Sequence, residues 1–124
     1  VDIARSAPIQ LAIQRDATFL DLLRSSGLDF VEVPELDVRK PSTSFRVRGS
    51  TLRVDLLVPG DARYRSVRIR ELGAHATALP YLAFLRESPM RTIVLGRDHV
   101  VPVALPNPAR YAVHKVIVAT LRSG

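Results

Sequence analysis

Residues 45–58, FRVRGSTLRVDLLV, constrain the fold more than any other part of the chain. Apolar and polar residues alternate on both sides of Gly49-Ser50, the pattern of two strands that each bury one face. Glycine first in a two-residue loop suits a type II′ turn, so the segment predicts an antiparallel hairpin. In the second strand Leu52, Val54, Leu56 and Val58 share one face, while Arg53, Asp55 and Leu57 point the other way. Aspartate is a poor strand former and costly to bury without a partner. One explanation of Asp55 is a surface carboxylate paired with Arg53 or Arg46. The other is a second acid at the same site, and Asp2 in Val1-Asp2-Ile3 repeats the setting of an acid between aliphatic residues.

The remaining elements follow from periodicity and punctuation. Residues 1–4 predict a strand, and residues 8–14 another, with Ile9, Leu11 and Ile13 on one face. Asp16 is placed to cap a helix over 17–26, with Phe19, Leu22 and Leu23 as its apolar stripe and Gly27 as its stop. Strands are predicted at 28–33 and 67–72, separated from the hairpin by polar or Pro-containing loops. Residues 80–86 predict a short helix with Leu82 and Leu85 inward. Residues 91–95 and 99–105 predict a second hairpin around Gly96-Arg97-Asp98. Asn107-Pro108 supplies an N-cap followed by proline at the first helical position, opening a helix over 109–122 with Val113, Ile117 and Leu121 toward the core.

At 124 residues the chain is expected to form a single domain spanning 1–124. It opens on Val inside a predicted strand and closes on Leu121-Arg122-Ser123-Gly124 at a helix end, which predicts a piece truncated at both ends. No apolar run approaches the ~18 residues of a membrane span. The absence of cysteine excludes disulfides and thiolate metal sites and is compatible with a cytoplasmic home. Eighteen Lys and Arg against twelve acids give a net charge of +6, which suits an anionic partner such as a nucleotide, RNA or an acidic protein.

On the last helix Tyr111, Lys115, Val118 and Arg122 fall at spacings that share a face. Two cations beside an aromatic suit a polyphosphate and a base; a solvated face with a snorkelling Lys is the plainer alternative. Two neighbouring carboxylates would repel unless they share a divalent cation, and Mg²⁺ takes one or two carboxylates together with substrate phosphates. His75, His99 and His114 have no metal-ligand spacing, and a structural or surface role is expected for each. Lys40 with Ser42, Thr43 and Ser44 forms a loop able to touch phosphate or to serve only as a linker. No glycine-rich phosphate loop and no G-x-S-x-G elbow is present.

The order VDIA … RVDLLVPG … VPVALPNPARYAVHKVIVATLR resembles bacterial nucleotidyltransferases of the polymerase β-like superfamily, in particular the minimal nucleotidyltransferases and the abortive-infection (AbiEii-like) toxin type. That resemblance matches Asp2 to the second acid of an Asp-x-Asp strand and Asp55 to the third acid. It matches Lys115, then Ala119 or Thr120, then Arg122 to the helix motif that contacts the triphosphate. It places the first acid and the Gly-Ser helix before Val1, so the chain corresponds to the central portion of such an enzyme. The fold implied is α/β (α+β), a mixed, largely antiparallel sheet with helices packed on it.

The activity implied is Mg²⁺- or Mn²⁺-dependent transfer of a nucleoside monophosphate from an NTP to an acceptor hydroxyl, with Asp2 and Asp55 as metal ligands. Asp55 lies nearest the acceptor, Lys115 and Arg122 face the pyrophosphate, and Tyr111 stands beside them. The acceptor is left open among a protein, a tRNA end and a small molecule. Two alternatives stand beside the enzyme. One is a non-catalytic module of a toxin–antitoxin pair, with an antitoxin as partner; the other is a basic RNA-binding α/β domain. Ragged strand edges would also permit a homodimer.

Overall fold

The computed structural model describes residues 2–4, 17–61 and 65–122. The predicted strand at 8–14 and the cap at Asp16 lie outside the described residues. In chain order the elements are β1 (Asp2–Ala4), α1 (Phe19–Arg24), β2 (Phe30–Glu32), β3 (Ser44–Val47), β4 (Arg53–Pro59), β5 (Arg65–Ile69), a 3-10 turn (Arg70–Leu72), β6 (Ala74–Leu79), α2 (Leu82–Arg86), β7 (Met90–Leu95), β8 (Val100–Leu105) and α3 (Pro108–Arg122). They fall into two compact units, Val1–Pro80 and Tyr81–Gly124.

The first unit holds a mixed six-stranded sheet organised around β4. β3 runs antiparallel to β4, and β1 and β6 run parallel to it. Asp55 is in register with both Asp2 and Ser44, and Leu57 with both Ala4 and Thr77. A strand residue has one neighbour per edge. β1 therefore lies along one edge of β4, while β3 and then β6 occupy the other. β2 continues outward from β3, and β5 from β6.

The alternation of β4 is realised as read from the sequence. Val54 and Leu56 are buried in a cluster with Phe19, Phe30, Phe45, Val47, Ile69, Leu72, Ala74 and Ala76, and Val58 packs against it. Phe19 meets Phe45 edge-on, with ring centroids 5.3 Å apart. The predicted hairpin forms with Ser44 opposite Asp55, the register that a Gly49-Ser50 centre demands. Its reversal differs in detail. Ser50 N donates to Val47 O, so Gly49 is the third residue of a turn and adopts φ +68°, a conformation glycine enters without strain.

α1 is capped by Thr18. The Thr18 hydroxyl accepts from Asp21 N, and the Asp21 carboxylate accepts from Thr18 N, which completes a capping box. Its inward side includes Leu20 rather than Leu22, which stays 42% exposed. The strand predicted at 67–72 runs instead over Arg65–Ile69 and is followed by the 3-10 turn. β6 has no counterpart in the sequence reading. Its burial alternates strictly, with Ala74, Ala76 and Ala78 inward, but alanine gives little strand signal.

In the second unit β7 and β8 pair antiparallel from Met90↔Leu105 to Leu95↔Val100. α2 buries Leu82 and Leu85 as expected. Asn107 Oδ1 accepts from Ala109 N at the start of α3, as the Asn-Pro pair predicts. The inward side of α3 is not the expected one. Val113 and Leu121 are 49% and 54% exposed, while His114 is buried and Ile117 and Val118 are half-buried. The reason lies in how α3 meets α2. Arg110 sets that contact: it stacks 4.6 Å from the Phe84 ring, donates to Phe84 O and pairs with Glu87 at 2.8 Å. His114 lies four residues on from Arg110, on the same side of the helix.

Candidate active site

The polar face of the sheet is built by strand geometry. Arg53 and Asp55, two apart on β4, project to the same side, and Ser44 joins them because it is the cross-strand partner of Asp55. Ser44 Oγ donates a hydrogen bond to Asp55 Oδ1. Arg53 Nε donates to the same oxygen at 2.8 Å, and Arg53 Nη2 donates to Ser44 Oγ at 2.8 Å. The triangle fixes one carboxylate oxygen between a buried hydroxyl and a guanidinium. The carboxylate itself stays 28% exposed. This is the Arg53 pairing that a surface reading of Asp55 expects.

The other edge of β4 supplies what a surface role does not require. The parallel pairing of β1 and β4 puts Asp2 at the register position of Asp55. Adjacent strands lie about 4.8 Å apart, so the backbone of Asp2 on β1 neighbours that of Asp55 across one edge of β4. Oxygen donors so placed suit a hard divalent cation, which would relieve their mutual repulsion. Residue type and backbone register therefore suit such an ion. Among the described residues no group of three or more His, Cys, Asp or Glu gathers in a metal-holding cluster, so Asp2 and Asp55 would hold it with oxygens from elsewhere.

The cationic set belongs to the second unit. Lys115 Nζ sits 5.1 Å from the centroid of the Tyr111 ring, on the exposed side of α3, so the predicted spacing brings these two together. Arg122 is the last residue of α3. The acids and these cations thus lie on separate units. Of the loop residues singled out by sequence, Ser42 Oγ donates to the Val33 and Ser44 carbonyls, which ties down its hydroxyl, and Ser44 turns to Asp55. The part Ser44 plays was not read from the sequence, although the Gly49-Ser50 register already set it opposite Asp55.

A family model described as a nucleotidyltransferase matches residues 1–124. The chain belongs to that nucleotidyltransferase family. No curated protein and no solved structure matches it. Membership implies a nucleoside triphosphate as substrate, and the family typically works with a divalent metal. Among the described residues of this family member, no helix is long and apolar enough to cross a membrane.

Proposed function

We propose that this chain carries part of the site of a Mg²⁺-dependent nucleotidyl transfer from an NTP to an acceptor hydroxyl. The observation that supports this most is the register of Asp2 beside Asp55 in neighbouring parallel strands. Asp55 accepts the proton of the acceptor hydroxyl as its oxygen bonds to the α-phosphorus and the bond to pyrophosphate breaks. Ser44 holds the carboxylate in one rotamer for that task, and Arg53 balances its charge between turnovers. On the second unit, Lys115 and Arg122 are the residues whose charge suits a pyrophosphate, and Tyr111 the one whose ring suits a base. When bound by Asp2 and Asp55, a divalent ion, Mg²⁺ or Mn²⁺, supplies charge neutralisation on the phosphates and acidifies the acceptor hydroxyl.

The acceptor is a hydroxyl of a protein, an RNA end or a small molecule. A second reading, a non-catalytic module that pairs with an antitoxin-like protein, draws on the Arg53–Asp55–Ser44 triangle, which also satisfies an acid with no chemical duty. Calorimetry with ATP, CTP, GTP and UTP, with and without Mg²⁺, separates the two. Metal-dependent heat with at least one nucleotide, lost in Asp55→Asn, is expected. Binding and label transfer that both survive Asp55→Asn would remove Asp55 from the mechanism.

A further inference from the structure

A cavity of about 330 Å³ opens where β3 leaves the edge of β4 and β6 takes its place, lined by Glu35, Lys40, Thr43, Arg65, Ser66 and Thr77. Its position follows from the register. Thr43 precedes Ser44, the partner of Asp55, and Thr43 O accepts from Leu56 N at 3.0 Å. Thr77 is the partner of Leu57, two residues along β4 from Asp55 on the same face, a step of about 7 Å. The cavity therefore adjoins the acid pair on the polar side of the sheet.

Its chemistry is that of an anion site. The floor is a hydroxyl chain: Thr77 Oγ1 donates to Thr43 Oγ1 at 2.8 Å, and Thr43 Oγ1 donates to Glu35 Oε1 at 3.1 Å. Thr43 is 4% exposed, so this chain is a built feature and not a surface accident. Two cations, Lys40 and Arg65, stand against the single carboxylate of Glu35, which the Thr43 hydroxyl already occupies. Among the described residues Lys40 makes no ion pair, and Arg65 reaches Asp61 only at 3.8 Å. A compact ammonium, a guanidinium and the Ser66 hydroxyl are groups that hold phosphate oxygens, the Thr43 and Thr77 protons being spent along the chain toward Glu35. The volume is at the lower end of the ~300–1,000 Å³ of small-molecule sites.

We propose that this cavity binds a phosphate group carried by the acceptor and so presents the neighbouring acceptor hydroxyl to Asp55. The assignment rests on the catalytic reading for its second half; phosphate binding itself does not. The two are separated by ¹H–¹⁵N spectra of the chain titrated with inorganic phosphate, with adenosine 5′-monophosphate, with adenosine, and with ATP and Mg²⁺. Phosphate and the monophosphate, but not adenosine, should shift the amides of Thr43, Ser66 and Thr77. Lys40→Met and Arg65→Met should each weaken that binding about tenfold, while Lys40→Arg restores most of it. Preserved spectral dispersion in the variants shows that they remain folded.

ATP–Mg²⁺ affinity should survive Lys40→Met. Its loss, with no response to the monophosphate, would hand the cavity to the donor nucleotide and overturn the assignment. No shift of cavity residues with either phosphate probe would overturn it as well. Failure of transfer with phosphate binding intact would overturn the catalytic reading and, with it, the presentation of an acceptor to Asp55, and would leave only the phosphate site.

Discussion

Ser44→Ala removes one hydroxyl that serves two partners, and the cost can be worked from its surroundings. Ser44 is 5% exposed; its Oγ donates to Asp55 Oδ1 and accepts from Arg53 Nη2 at 2.8 Å. Hydrogen bonds to charged groups contribute about 1.5–3 kcal/mol each. Both partners are partly exposed, at 28% and 54%, and they keep their own 2.8 Å contact. Water can therefore replace much of what is lost, and a net cost of about 1–2 kcal/mol is expected. In a domain of this size that lowers Tm by roughly 3–8 °C. Urea unfolding of the wild type and Ser44→Ala measures it, with Ser44→Thr as the variant that keeps the hydroxyl. A change below about 0.3 kcal/mol would mean that the triangle does not form, and the orientation argued for Asp55 would fall with it.

Two further outcomes follow from local geometry. A Cβ added at Gly60 would lie 2.6 Å from Ala78 Cβ, on a strand residue with no exposure, so Gly60→Ala should cost about 1–3 kcal/mol; an unchanged urea midpoint would contradict the tight approach of β4 to β6. The Thr18 backbone N–H and then its hydroxyl hold the Asp21 carboxyl below its ordinary 3.8, with burial opposing them and Arg24 adding a lesser pull in the same direction. The unfolded chain then binds this proton more readily, so the contribution is full above pH 3.8 and is lost as pH falls through the lower folded value. Asp21→Asn should accordingly flatten the acid limb of a stability-against-pH curve, and an identical limb would show the capping box to be unformed.

What could be read from the sequence was set by local chemistry. The β3–β4 register follows from Gly49-Ser50 and the alternation around it, and the start of α3 from Asn107-Pro108. What could not was set by neighbours distant in sequence. β6 is a strand because β4 and β5 flank it, and its alanines fit the close packing there without announcing a strand. The buried side of α3 was decided by the docking of Arg110 on Phe84 and Glu87, which helical spacing cannot foresee. For the site, the similar settings of Asp2 and Asp55 hinted at a pair. Their adjacency depends on a parallel pairing that no periodicity encodes. The cavity at Thr43 and Thr77 likewise exists only because β3 and β6 meet the same edge of β4.

The central claim is that Asp2 and Asp55 act as one site for a divalent ion. It is tested most directly by Mn²⁺ binding, followed by electron paramagnetic resonance in the wild type, Asp2→Asn, Asp55→Asn and the double variant. Ligands of one ion are not additive. Each single substitution should weaken binding at least about tenfold, and the double variant should be little worse than either. Independent, additive losses, or Mn²⁺ binding that neither substitution changes, would contradict a shared site.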